Sequence, residues 1–284
     1  MAKLEPLQVG VMFWTGGELG FDGTPEEIVS SVASLGVKCG QLGVHGVADL
    51  GPEAQQAWKA ALDKYDVTVV TAFPGFAGES YASPQICSET VGFVPAATRA
   101  EREQRTYAVS DFAKALGIPG MASHIGCLPH DRSHPDYVGV RDLMQRVCDH
   151  CAKNGQTFAL ETGQEPGENL LQVLRDVGRE NLGINFDPAN LILYGFGGHM
   201  EALELVKDKL LTVHCKDGVY PPAKGEWGKE TPLGEGAVGM DKFVAKLKEI
   251  GYTGPLTIER EIVGDAQRED ILGAIALLER LRAA

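Results

Sequence analysis

The chain has no long apolar run. Nothing in its 284 residues approaches the roughly 20-residue stretch that spans a bilayer, and its first residues carry no apolar secretion-signal core. It also lacks a basic excess. Lys and Arg number 26 against 39 Asp and Glu, giving a formal net charge of −13, and no Lys/Arg block interrupts the balance. Nucleic acid and anionic membrane surfaces favour basic faces, so both are poor partners for this chain. Cysteines are few and unpatterned: positions 39, 87, 127, 148, 151 and 215. Cys148 and Cys151 make a C-x2-C with no second pair, which is half of a structural zinc site. Without a secretion signal, the six are expected to be reduced thiols in a cytoplasmic protein. There is no G-x-G-x-x-G after the first strand to favour a dinucleotide fold, no low-complexity tract and no inter-domain linker.

What the chain does have is alternation. Apolar runs with strand character occur at 7–14, 38–45, 67–73, 119–126, 157–163, 181–187, 210–216 and 255–261. Between and after them lie segments with helical spacing: 25–36, 53–65, 99–116, 136–154, 168–179, 199–209, 240–250 and 267–282. Thr24-Pro25-Glu26-Glu27 reads as a helix start, with a cap, a proline in the first turn and acids at the positive end of the dipole. Alternating β and α units imply a parallel sheet. Eight of them predict an α/β protein with one (β/α)8 TIM barrel domain over 1–284, an open doubly wound sheet being the alternative. Two connections are long, 74–98 and 217–239. Both follow strand C-termini, which in a barrel puts them over the catalytic mouth.

Four residues end the last four strands: Glu161, Asp187, His214 and Glu259. Alternate residues of a strand face opposite sides. Glu161 shares its side with Ala159, opposite Phe158 and Leu160. Asp187 shares with Asn185, opposite Ile184 and Phe186. His214 shares with Thr212, opposite Leu211 and Val213, and Glu259 shares with Thr257, opposite Leu256 and Ile258. The bulky residues suit the helix layer, so the ionisable ones face the barrel interior. Any one of them alone reads as a polar strand end bonded to a loop. Three carboxylates converging on one cavity repel, and a divalent cation resolves the conflict. Three carboxylates and an imidazole suit Mn²⁺, Mg²⁺, Co²⁺ or Zn²⁺. The same parity turns His45 and His124 inward, either as hydrogen-bonded rim residues or as contacts to substrate hydroxyls. Trp14 ends the first strand and either walls the pocket or packs. Gln164 and Glu165 either bond substrate or shape the turn after Glu161, and Lys216 either reaches the mouth or is solvated.

The segments TFALETG, NFDPANLILYG, TVHCKD, PLGEG (232–236) and GYTGPLTIERE (251–261) resemble the sugar phosphate isomerase/epimerase group of xylose isomerase-like TIM barrels, the superfamily of the AP endonuclease 2 type. The resemblance spans essentially the whole chain and implies that Glu161, Asp187, His214 and Glu259 hold one divalent metal ion, with Glu161 and Glu259 as the catalytic acid–base pair. It implies a metal-dependent isomerase or epimerase acting on a carbohydrate or polyol by α-proton abstraction through an enediolate. A lyase or dehydratase on a keto-sugar, inosose or 3-keto-glycoside is the runner-up; a non-catalytic sugar-binding barrel or an abasic-site nuclease comes after. Homo-oligomers are implied as well. Two departures stand out: Asn190 occupies a position where many sugar epimerases of the group carry His, and Lys216 and Lys224 follow His214 where many carry Arg. The His absent at 190 also argues against the several-metal site of the nucleases.

Overall fold

All eight expected strands and all eight expected helices form, within a few residues of the expected bounds. The computed structural model describes residues 4–16 and 23–284. The staves are β1 (Val9–Trp14), β2 (Cys39–Val44), β3 (Thr68–Pro74), β4 (Gly120–Ser123), β5 (Thr157–Glu161), β6 (Leu182–Phe186), β7 (Leu210–Cys215) and, after a short hairpin of β8 (Asp217–Val219) and β9 (Lys229–Thr231), β10 (Leu256–Ile258). They pair in parallel and close, with β10 bonded to both β7 and β1. Helices α1 (Pro25–Ala33), α2 (Pro52–Tyr65), α4 (Arg99–Ala115), α5 (Pro135–Lys153), α6 (Gly167–Val177), α8 (His199–Val206), α9 (Met240–Glu249) and α10 (Asp265–Ala283) alternate with the staves. No helix among the described residues is long and apolar enough to cross a membrane.

Three further elements lie in segments expected to be irregular. Helix α3 (Pro84–Thr90) sits in the 74–98 connection, α7 (Pro188–Leu193) follows β6 directly, and the β8–β9 hairpin stiffens the 217–239 connection. The two helices are too short for a helical period to show, and both are set by local capping. The Ser83 hydroxyl accepts from Ile86 N, and Asp187 accepts from the first amides of α7. At α1 the expected start is a complete capping box. Thr24 N donates to Glu27 Oε2 at 2.8 Å, and Glu27 N donates to Thr24 Oγ1 at 3.3 Å.

Parity holds. Phe158, Leu160, Ile184, Phe186, Val213, Leu256 and Ile258 belong to the large core between staves and helices, where Phe186 stacks on Phe243 of α9 with centroids 6.1 Å apart. Leu211, at the start of β7, is the exception and is partly exposed. The opposite faces build a separate inner layer from Met12, Phe73, Ala122 and Ala159, with Trp14 against it. Beside that layer runs a buried polar set. Gln41 Nε2 donates to Thr212 Oγ1 at 2.6 Å and to Asn185 Oδ1 at 3.5 Å, linking three staves across the barrel.

Gly40 lies at the register shift between β2 and β3. A Cβ there would come within 2.2 Å of the Val11 carbonyl oxygen, a backbone atom that can yield only by moving β1. Gly40→Ala is expected to cost roughly 1–3 kcal/mol of overpacking. It should show as a lower urea midpoint with an unchanged slope, and an unmoved midpoint would mean that the two staves part freely.

Candidate metal centre and its cavity

Four stave ends deliver the candidate metal-binding atoms. Glu161 is the last residue of β5, and His214 lies inside β7. Glu259 follows β10 and is tied to β7 by its amide, which donates to Cys215 O at 3.2 Å. Asp187 follows β6 and divides its two oxygens. Oδ1 caps α7, accepting from Ala189 N at 2.8 Å and Asn190 N at 3.1 Å, while Oδ2 has no hydrogen-bond partner among the described residues. Thr162 fixes this corner: its hydroxyl donates to Asp187 O and accepts from Asp187 N, both at 2.7 Å. One atom from each of Glu161, Asp187, His214 and Glu259 lies within 4.8 Å of the others.

His214 Nδ1 occupies the middle, 3.0 Å from Glu161 Oε1, 3.2 Å from Glu259 Oε2 and 3.6 Å from Asp187 Oδ2. Its other nitrogen, Nε2, lies 2.8 Å from Gln41 Oε1. An acceptor there keeps a proton on Nε2, so that Nδ1, facing the carboxylates, is the nitrogen a cation would take in place of its proton. Phe73 stacks on the ring at 5.6 Å and limits its rotation.

The electrostatics of the cluster calls for added positive charge. Burial raises the Glu161 carboxyl, and Glu259 and Asp187 push it further, against His214. Burial works to lower the His214 imidazole, but Glu259, Asp187 and Glu161 outweigh it and draw it well above the ordinary range. Burial would raise Glu259 too, yet His214 and Lys216 hold it well below the usual carboxylate range. Lys216 brings a fixed cation into contact, 3.1 Å from Glu259 Oε2 and 3.9 Å from Asp187 Oδ2. Two buried atoms of this cluster, Asp187 Oδ2 and His214 Nδ1, have ion-pair contacts within it but no well-aligned hydrogen bond among the described residues. Buried polar atoms are seldom left so without a ligand. Oxygen and nitrogen donors in this set fit a divalent cation. Gln41→Ala should weaken Mn²⁺ affinity about 10- to 100-fold, measured by calorimetry, because the imidazole loses its orientation; unchanged affinity would remove Gln41 from the site.

The centre opens into a cavity of about 800 Å³ whose walls include Glu161, Glu259, Trp14, His45, His124, Asn190 and Lys216. Trp14 lies over Gly43, where a Cβ would fall 2.1 Å from the indole, and its Nε1 bonds to no described residue. His124 depends on Gly163 in the same way, since a Cβ there would sit 2.4 Å from His124 Nε2. Burial, aided by Lys216, pushes the His124 pKa down to about 4, so the ring is neutral. Its Nδ1 accepts from Gly126 N at 3.1 Å, leaving Nε2 3.4 Å from Tyr194 Oη. His45 is half-buried at the rim, with Arg105 holding its carbonyl at 2.6 Å. Asn190 Nδ2 donates to Thr162 O at 2.9 Å, and its Oδ1 accepts from Lys216 at 3.4 Å.

Gln164 and Glu165 are not among the cavity's lining residues. Gln164 Nε2 donates to Gly126 O at 3.2 Å and to Glu165 Oε1 at 2.5 Å, so both shape the turn beyond Glu161. Burial pushes the Glu165 pKa up to about 7 despite backbone amides of Glu165 and Leu128. A carboxyl raised on folding favours the native state below its unfolded pKa, and that contribution is lost as pH rises through the native value. Glu165→Gln should therefore gain stability over the parent at pH 8 relative to pH 5, by up to roughly 3 kcal/mol. A pH-independent difference in urea midpoints would contradict this.

Some cavity residues carry no sequence signal of their own: Tyr81, Tyr194, Trp227 and Glu230, whereas Glu261 shares the parity of Glu259. Gln41, just below the cavity, did carry one, since it shares the inward face of His45 on β2. The PLGEG segment has a structural role. It wraps Asp217, whose carboxylate accepts from Gly218, Gly234 and Val238 amides at 2.9, 2.9 and 3.1 Å.

A family model described as xylose isomerase-like TIM barrel matches residues 29–282. The chain belongs to the xylose isomerase-like TIM barrel family. Within this family fold, it is 41% identical to a xylose isomerase domain protein from Planctomyces limnophilus, over 98% of each chain, with a TM-score of 0.91. A xylose isomerase-like TIM barrel protein from Mycobacterium smegmatis, solved in complex with magnesium, gives a TM-score of 0.72 at 16% identity, covering 97% of this chain and 98% of that one. The D-allulose 3-epimerase of a Methylomonas species gives 0.70 at 18% identity, covering 99% and 100%. At the last two identities the likeness is one of fold. An uncharacterized protein of Methanocaldococcus jannaschii is 32% identical over 100 residues, a stretch covering 35% of this chain and about a third, 32%, of that protein.

Proposed function

We propose that this protein is a divalent-metal-dependent isomerase or epimerase of a sugar or polyol, working by removal of the proton α to a carbonyl. The observation that carries the reading is the pair of carboxylates, Glu161 and Glu259, which lie 3.0 and 3.2 Å from His214 Nδ1 and both line the cavity. A divalent cation in the quartet supplies the Lewis acidity that stabilises negative charge developing on the substrate carbonyl oxygen. The chain's residues supply the rest. One of the two glutamates removes the α-proton and the other returns one. Return to the opposite face of the same carbon inverts it, and return to the neighbouring carbon exchanges aldose and ketose. Each positioned acid–base group contributes typically 10²–10⁴-fold.

Lys216, Asn190 and His124 are the proposed substrate contacts nearest the pair. Lys216 is buried and charged, because Glu259 and Glu261 more than offset the desolvation that would lower its pKa. It orients Glu259 and offers a donor to a substrate oxygen. Neutral His124 can donate from Nε2 to a hydroxyl. Trp14 offers an indole N–H with no partner among the described residues and a flat apolar wall, and His45 closes the rim. Asn190 and Lys216 give this site its own set of proposed hydroxyl contacts.

Incubation with Mn²⁺ and a panel of ketoses in D₂O is expected to label the α-carbon of at least one. Loss of water or of an aglycone, found in the products, would assign the chemistry to a lyase. No exchange with any ketose or keto-glycoside, under Mn²⁺, Mg²⁺, Co²⁺ or Zn²⁺, would sink the proposal. Glu259→Gln should cut exchange by at least about 10²-fold with its thermal unfolding little changed; full activity would take Glu259 out of the mechanism.

A further inference from the structure

Lys216 is shared by two pairs of oxygens. The first pair belongs to the candidate metal ligands: Glu259 Oε2 at 3.1 Å and Asp187 Oδ2 at 3.9 Å. These are the same two atoms that approach His214 Nδ1, at 3.2 and 3.6 Å. The second pair belongs to residues outside the quartet. Glu261 Oε2 is in direct contact with the ammonium, and Asn190 Oδ1 accepts from it at 3.4 Å. Lys216 is only 2% exposed, so solvent screens these contacts little.

The second pair is held in place by neighbours of its own. Asn190 Nδ2 donates to Thr162 O at 2.9 Å, which leaves Oδ1 for the lysine. The Glu261 amide donates to the Glu230 carboxylate at 3.2 Å, and Glu230 is paired with Arg260 at 2.9 Å. Arg260 is in turn bonded to Asp270 of α10 at 2.9 Å. The backbone of Glu261 is thereby tied to β9, while its side chain keeps 51% of its surface exposed.

An ammonium on Glu259 Oε2 and Asp187 Oδ2 opposes a divalent cation in two ways. It takes up negative charge that the ion would use, and it repels the ion across a few ångströms of poorly screened space. Glu261 and Asn190 act against this, because they attract the same ammonium without touching the quartet. We infer that Lys216 is a built-in competitor of the divalent ion that lowers the affinity of the centre, and that Glu261 is the positioning residue that limits the competition. The inference rests on the metal centre and not on the enolisation chemistry. A centre tempered in this way holds its ion less tightly than the quartet alone would.

The test is calorimetric titration of the full chain, stripped with a chelator, with Mn²⁺. The parent is compared with Lys216→Gln, Glu261→Gln and the double variant, each checked for its thermal unfolding. Lys216→Gln is expected to bind Mn²⁺ about tenfold more tightly or better, and Glu261→Gln about threefold more weakly. In the Lys216→Gln background the Glu261 substitution should lose most of its effect, since it acts through the lysine. Lys216→Met supplies a second neutral side chain should Lys216→Gln fail to fold, and the exposed position of Glu261 keeps its variant readable in either case. Unchanged or weaker binding by the neutral variants of Lys216, or unchanged or tighter binding by Glu261→Gln, would overturn the inference. Strictly additive effects would remove Glu261 as a positioning residue, leaving only its own charge at work. Affinities that shift as expected without any deuterium exchange would remove the enolisation reading alone. Exchange with affinities that do not shift would remove the competitor alone.

Discussion

Three carboxylates enclosed with one imidazole at the ends of four consecutive staves set the terms for the rest of this molecule. Desolvated like charges raise each other's pKa or unfold the region that holds them. Lys216 offsets only part of that charge. The surrounding structure is organised to keep the four groups together in spite of this. Thr162 ties β5 to Asp187, Gln41 reaches across the barrel to the imidazole, and Glu259 is anchored to β7 by its own amide. The outer core of Phe158, Leu160, Phe186 and Val213 fixes the opposite face of the same staves. Each of the four positions is thus over-determined from behind, as a pre-organised cation site would demand.

The barrel was legible because its signal repeats. Strand parity and helix period act over many residues, and the bulky outward residues named from sequence are the ones that pack under the helices, Leu211 excepted. The quartet was legible for the same reason: its members inherit their direction from their staves. His45, His124 and Trp14 follow the same logic and line the cavity. Where direction comes from a loop, the sequence is silent. Tyr81, Tyr194 and Trp227 meet only because α3, α7 and the β8–β9 hairpin fold over the mouth, and those short elements are set by local caps and cross-loop bonds with no period of their own. Gln164 and Glu165 show the limit from the other side. They stand a few residues after Glu161 in the chain, yet Gln164 turns to Gly126 and to Glu165, and neither lines the cavity.

Glycine placement explains part of how the site fits its fold. Gly43 and Gly163 are not turn residues with unusual backbone angles. They are missing side chains, each making room for a ring, Trp14 in one case and His124 in the other. Both lie beside residues that parity had already turned inward, so the cavity's walls are shaped as much by what is absent from β2 and the β5 turn as by the aromatics themselves.

Asp187 gives one oxygen to architecture and keeps one for chemistry. Since Oδ1 is engaged by the amides that begin α7, the carboxylate is held in one orientation, and Oδ2 is the oxygen it would offer to a cation. The start of a helix would thus decide which face of the carboxylate a cation meets.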